Sequence, residues 1–209
     1  MKHFKRELPG LKVPATPDKE YEDNAKKALL EVLVATGHAY CYMDLKIGDE
    51  RQKRVILELY QHTCPRTCEN FVALCAGSGK LKYKGSVFHR VVAGGWIAGG
   101  DVDKGKGNGG ESAFGGTFED ETFSVPFDGA GVLAMASKGA HTNGSQFFIT
   151  TAALPWLKTK AVGFGRVVRG MDVVRKVEAA PCVNERPEEP VRVDKCGPID
   201  ITSTYELKL

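Results

Sequence analysis

The chain has no apolar run long enough to cross a bilayer. Glu31 interrupts the best candidate, and a spanning helix needs about 20 apolar residues. The first ten residues, MKHFKRELPG, contain no apolar h-region, so no secretory signal is expected and the Asn143-Gly144-Ser145 sequon is expected to stay unglycosylated. A strong charge of either sign is also missing: 29 Lys and Arg against 26 Asp and Glu give +3. That balance is too mild for a nucleic-acid partner. The six cysteines, at 41, 64, 68, 75, 182 and 196, form neither the close Cys-x-x-Cys pairs of zinc sites nor a disulfide framework. No two of the five histidines (3, 38, 62, 89 and 141) have the i, i+4 spacing of a helical metal site. No local Ser/His/Asp or Cys/His pattern suggests hydrolysis, and no internal repeat is present. These absences leave an intracellular, cytoplasmic setting as the expectation, with nucleus and cilium open, and with no membrane partner, metal or cofactor.

With 209 residues, 42% of them hydrophobic and 26% charged, the chain is long enough for one domain with a real core plus an extension. Residues 1–37 read as that extension. Lys2 to Pro17 is charged and proline-punctuated; beyond it Thr16 and Pro17 suit a helix start and Gly37 a stop. Tyr21, Ala25, Ala28, Leu29, Val32 and Leu33 make one apolar stripe, expected to dock on the domain because a lone helix of this length is marginal in water. From His38 the period changes to strands. Ala39–Ile47 and Arg54–Tyr60, joined at Gly48-Asp49, read as a hairpin. Pro65 opens a helix closing near Gly77, with Cys68, Phe71, Val72 and Cys75 at core spacing. Short strands fill Val87 to Ile149, a second helix spans Met171–Ala179, and a last strand runs from Val191 to about Thr202. This order predicts a mainly β closed barrel capped by two helices, not βαβ units. The domain is expected over 38–203, with a tail at 204–209.

Gly105-Lys106-Gly107-Asn108-Gly109-Gly110 satisfies the G-x-G-x-x-G pattern, but the glycine-broken ESAFGGTFEDETF follows it. Without a helix start to hold a phosphate, a flexible groove-lining loop is the expectation. In NGSQFFIT, from Asn143, polar and apolar residues alternate as in a half-buried strand. Phe147 and Phe148 must then face opposite ways, one into the core.

YKGSVFHRVV from Tyr83, GGD from Gly99, GKGNGGES from Gly105, FEDETF from Phe118, GVLAMAS from Gly131, TNGSQFFIT from Thr142 and VGFGRVVRGMDVV from Val162 follow one another in the order and spacing of one family. From about His38 to Asp200 the chain resembles the cyclophilins, the peptidyl-prolyl cis/trans isomerases. The resemblance implies an eight-stranded antiparallel barrel, proline-containing peptides or proteins as partners, no cofactor, and a monomer. It makes Arg90 the catalytic residue, Phe148 and Leu157 the proline pocket, Gln146, Ala136, Ser137 and Gly107 the groove wall, and Trp156 the rim.

The sequence also departs from the family. Catalytic members follow the arginine strand with Pro-Gly-Phe-Met-x-Gln-Gly-Gly-Asp, whereas here Gly95, Trp96 and Ala98 replace the phenylalanine, methionine and glutamine. Ala161 stands where a groove histidine is usual and Ser137 where an asparagine is. Trp96 is expected to refill part of the volume vacated at Gly95. The Gly-Trp-Ile-x-Gly-Gly-Asp signature, with Asn184-Glu185-Arg186-Pro187, resembles a divergent, inactive isomerase-like branch found in animals. Reduced isomerase activity is therefore expected, with a silent proline-peptide reader or scaffold as the alternative, and weak binding of cyclosporin-type ligands. Cys75 and Cys196 correspond to a regulatory disulfide of some relatives, a third reading.

Overall fold

Eleven strands and two helices are built from the residues that the computed structural model describes, 36–77 and 79–200. The expected amino-terminal helix and the 204–209 tail lie outside them. Strand β1 (Ala39–Ile47) pairs antiparallel with β2 (Glu50–Leu59), Ile47 facing Glu50 across Gly48-Asp49. Gly48 has φ +56°, a backbone state that glycine adopts without penalty. Strand β2 starts at Glu50 and not at the expected Arg54. Its first residues, Glu-Arg-Gln-Lys, carry no apolar signal, and it is pairing with β1 that makes them strand.

Helix α1 (Pro65–Ala76) and strands β3 (Val87–Phe88), β4 (Arg90–Val92), β5 (Trp96–Gly99), β6 (Val132–Met135), β7 (Phe147–Thr150) and β8 (Gly163–Arg169) follow. Helix α2 (Met171–Glu178), the short β9 (Cys182–Val183) and β10 (Arg186–Pro187), and β11 (Val191–Pro198) complete the chain. Nine strands form one sheet in the order β3-β11-β1-β2-β8-β6-β7-β5-β4, and β9 and β10 form a separate hairpin. The two end strands, β3 and β4, are parted in the chain by His89 alone. The sheet therefore closes through the chain itself, and β3 and β4 count as one broken strand of an eight-stranded barrel.

Helix α1 starts with Pro65 at its first turn and stops at Gly77, whose φ of +68° is the left-handed stop conformation. Its first amides are satisfied from far along the chain: Arg66 and Thr67 donate their N–H groups to the Glu121 carboxylate at 2.9 and 2.7 Å. Cys68, Phe71 and Cys75 are buried in the barrel core and Val72 packs partly against it, as their spacing requires. The Phe71 ring lies 5.0 to 5.3 Å from those of Tyr83, Phe147 and Phe164, within the range of favourable aromatic pairs. Val173, Val174 and Val177 of α2 enter the same core.

The six thiols are free. Burial first, and then Glu121, pushes Cys64 up to about 12, so it is protonated and inert. Cys196 Sγ donates to the Cys75 carbonyl at 3.4 Å, and burial pushes the Cys75 thiol well above its usual range. Among the described residues no group of His, Cys, Asp or Glu is arranged to hold a metal ion, and no helix is long and apolar enough to cross a membrane.

Strand β7 corrects the half-buried expectation, since all four of its residues are buried. Phe147 and Ile149 enter the barrel core. Phe148 points the other way, into a second apolar cluster with Ala98, Ala134, Phe127, Leu154 and Leu157. The chain after β5 and after β7 folds back over this outer face, which local alternation cannot reveal.

Candidate functional site: a groove on the outer face of the barrel

The outer face of β4, β5, β7 and β6 carries one row of paired residues: Arg90 faces Ala98, Ala98 faces Phe148, and Phe148 faces Ala134. Strands lie about 4.8 Å apart, so roughly 10 Å separates the backbones of Arg90 and Phe148. Ala98, between them, fills almost none of that space. A groove of about 650 Å³ opens here, and Arg90, Trp96, Ala98, Gly107, Ala136, Ser137, Gln146, Phe148, Leu157 and Ala161 all line it. Trp156 does not. It is 53% exposed and packs edge-on to Trp96, ring centres 6.2 Å apart, with Lys160 over its ring at 5.6 Å.

Two residues apart on β5, Trp96 and Ala98 share one face. The Trp96 ring lies 5.9 Å from that of Phe148, and the Arg90 guanidinium carbon 5.8 Å from the Trp96 ring centre, close enough for a cation–π contact. Gly95 is not part of the lining. It sits in the β4–β5 turn, where an added Cβ would meet Val92 Cγ1 at 3.3 Å.

A carboxylate that sequence reasoning passed over holds the arginine. Glu185 Oε2 accepts from Arg90 Nε at 2.6 Å, with both side chains about half exposed. Glu185 lies at the tip of the β9–β10 hairpin, where Asn184 and Glu185 take φ of +51° and +63°. Positive φ at both central residues defines the turn whose twist suits a two-residue hairpin. Glutamate is an unusual occupant there. Its backbone carbonyl accepts from Val91 N–H at 2.6 Å, so both ends of the residue are tied to β4. The only sequence signal was a charged residue within the Asn184-Glu185-Arg186-Pro187 stretch, which holds two turn-forming residues.

The glycine-rich loop is tethered, which corrects the flexible expectation. The Asp101 carboxylate accepts from the N–H groups of Lys104, Lys106, Gly107 and Gly109 at 3.0, 3.1, 2.7 and 3.1 Å, and Asp103 accepts from Gly110. The amides that would cradle a phosphate are thus turned onto carboxylates of the chain. Burial pushes the Asp101 carboxyl up, but the hydrogen bonds from Lys104, Gly109 and Gly107 outweigh it and hold the group well below the usual carboxylate range. Gly107 has φ +87°, and a Cβ there would stand 2.5 Å from His89 Cδ2. Glycine is required twice over. Gln146 donates its amide to the Gly109 carbonyl at 2.8 Å, pinning the loop to β7. His89, between β3 and β4, is kept neutral by burial, which lowers its proton affinity despite nearby Asp101. Asn143 of the sequon is 1% exposed and donates to Phe118 O and Asp120, so it is closed to glycosylation in the folded domain.

The barrel is closed by the chain itself, and an arginine and an aromatic floor face one groove on its outer side. Residues 42–198 match the family described as cyclophilin type peptidyl-prolyl cis-trans isomerase/CLD, and the chain belongs to that family. It is 44% identical over 198 residues to "Probable inactive peptidyl-prolyl cis-trans isomerase-like 6" of Homo sapiens, a match covering 91% of this chain and 62% of that protein. With the Bos taurus protein of the same name it shares 50% over 159 residues, 73% of this chain and 52% of the relative. It is also 45% identical over 166 residues to the "NK-tumor recognition protein" of Mus musculus, 75% of this chain and 11% of that protein. The chain thus spans between about half and three-fifths of the isomerase-like relatives it matches.

Proposed function

We propose that the groove binds X-Pro segments and catalyses their cis/trans interconversion slowly. The observation that carries this reading is the row Arg90–Ala98–Phe148, which puts a permanent cation and an apolar floor on one concave face. Rotation about an X-Pro amide has a barrier of about 18–20 kcal/mol, although its isomers differ by only about 0.5–1 kcal/mol. No bond need be made. Phe148 and Leu157 seat the pyrrolidine ring, Gln146 and Ala136 flank the chain, and Trp96 and Trp156 border it. As conjugation breaks, the prolyl nitrogen gains a lone pair, and a guanidinium N–H hydrogen-bonded to it stabilises only the twisted amide.

Two observations favour the silent reader as the second reading. Ala98 cannot orient Arg90 as the family's glutamine does, and Ala161 offers no imidazole. A catalytic group displaced by about an ångström loses roughly a hundredfold in rate. Exchange NMR on an X-Pro peptide decides between them: cross-peaks above the uncatalysed rate support catalysis, and their absence with retained binding leaves the reader. A cytoplasmic monomer acting on flexible proline-containing proteins, without nucleic acid or membrane, belongs to the same proposal.

Glu185 supplies part of what Ala98 lacks. Bound at Nε, it fixes the guanidinium while leaving the Nη atoms for the groove. An exposed pair of this kind contributes at most about 1 kcal/mol to stability, so its effect should appear in rate. Glu185→Ala is expected to lower kcat/KM about tenfold with an unchanged Tm, and Glu185→Gln, which retains an acceptor oxygen, to stay within about threefold of wild type. Equal losses in both variants would assign the effect to charge rather than orientation.

Cyclosporin-type ligands are expected to bind weakly. Ala98, Ser137 and Ala161 lack the amide and imidazole groups that the family resemblance puts there. At about 0.5–1.5 kcal/mol for each missing hydrogen bond, the loss is roughly tenfold to two-thousandfold against a cyclophilin carrying all three. Calorimetry giving tight binding would contradict this.

A further inference from the structure

The ionic lining of the groove is lopsided beyond what composition explains. Five permanent cations face it (Arg90, Lys106, Lys138, Lys160 and Arg186) against one carboxylate, Glu185, in a chain with 29 basic and 26 acidic residues. Glu185 is already engaged by Arg90. The other four cations arrive from four separate segments: the loop after β5, the turn after β6, the stretch before β8 and the β9–β10 hairpin. None is within ion-pair distance of a carboxylate among the described residues. Each is held by other means or points to solvent. Lys138 Nζ donates to the Asn108 carbonyl at 3.0 Å, Arg186 Nη2 donates to the Lys106 carbonyl at 3.1 Å, and Lys160 stands over Trp156. The nearby acids Asp101 and Asp103 are both engaged with loop amides. A concave wall lined by one sign of charge concentrates its field on whatever enters.

We propose, resting on the proline-groove reading above, that this site selects X-Pro segments flanked on both sides by anionic side chains. The proline would sit over Phe148, and the charges to either side would meet cations on opposite banks. Ammonium groups act as point charges and accept carboxylate or phosphate alike, so the shared chemistry is an anionic residue near proline, from Glu and Asp or from phosphoserine. Each exposed contact is weak, and the preference comes from their sum.

The test uses the full chain and fluorescence anisotropy with labelled peptides of one length around a central Gly-Pro. Their flanks are Glu, Gln, Lys or phosphoserine, and a further peptide has Ala for Pro in the Gln frame. At low salt the Glu peptide should bind at least about tenfold tighter than the Gln peptide, and the Lys peptide weakest. Raising salt to about 1 M, where the screening length falls to about 3 Å, should bring Glu and Gln together. The combined variant Lys106→Glu, Lys160→Glu, Arg186→Glu should invert the order, its Gln counterpart should flatten it, and Lys53→Glu, on β2 away from the groove, should leave it unchanged. Phosphoserine binding tighter than Glu supports the proposal with phosphate as the source, and weaker binding supports it with carboxylate. Equal affinity for Glu and Gln, or a preference that survives about 1 M salt, overturns the charge selection and leaves the proline groove standing. A Gln peptide that binds no better than its Ala-for-Pro analogue overturns both. A single-stranded DNA bound more tightly than the Glu peptide would reassign the basic lining to nucleic acid.

Discussion

Arg90→Ala is expected to reduce catalysed exchange of an X-Pro peptide at least about a hundredfold, to the uncatalysed rate, while peptide affinity stays within about threefold. The asymmetry follows from where the guanidinium acts. In the planar ground states the prolyl nitrogen has no free lone pair, so the arginine contributes little to binding. On the proposed mechanism, in the twisted amide it would supply the hydrogen bond that lowers the barrier. Removing one preorganised donor of this type costs about 10²–10³ in rate elsewhere. Arg90 is about half exposed and its partners are Glu185 and Trp96, so its removal leaves no buried charge and the fold should survive. Exchange NMR with a parallel affinity titration checks both halves. Equal exchange above the uncatalysed rate in wild type and variant would remove Arg90 from the mechanism, whereas exchange at the uncatalysed rate in both, with retained binding, would leave the groove as a reader.

Asp101→Ala should be the most damaging change to the groove's architecture. It leaves the four loop N–H groups without their acceptor, and at about 1 kcal/mol for each partly buried donor the expected loss is about 3–4 kcal/mol. For a domain of this size that is roughly 6 to 16 °C in Tm. The pH dependence has a definite sign. The folded carboxyl titrates well below the usual range, whereas in the unfolded chain it titrates near 3.9. Its contribution is therefore present above about pH 4 and is lost as pH falls below that value toward the folded one. Thermal melts from neutral to acid pH should show wild type losing stability in this window and Asp101→Asn losing less. A Tm in Asp101→Ala equal to wild type would show that the loop holds its shape without the carboxylate.

What the sequence disclosed was what short-range pattern carries. Phe71 and Cys75 fell at helical spacing and are in the core; Gly77 stops α1 where a left-handed residue was needed. The motif blocks brought Arg90, Gln146 and Phe148 to one groove because family order records tertiary neighbours that spacing alone does not. Long-range features stayed hidden. Phe148 looked half-exposed because its cover, Phe127 and Leu154, lies some twenty residues before it and a few residues after it and not on its own strand. Glu185 is 95 residues from Arg90 in sequence, and nothing local distinguishes it from a solvated turn. The loop at 105–110 read as flexible because its tethers are side chains outside it, Asp101 and Asp103 just upstream and Gln146 on β7, whose roles depend on the path of the backbone around them.

The break at His89 has a consequence for how a peptide can be held. A sheet that ends in a strand of two residues and another of three, joined by one linking residue, has no long edge to offer. Recognition by strand addition needs a row of unpaired N–H and C=O groups running alongside the guest, and this barrel has closed that row upon itself. On the proposed reading, a bound X-Pro segment would instead be gripped by side chains at separate points, proline first. Such a grip would read few positions and tolerate variation between them.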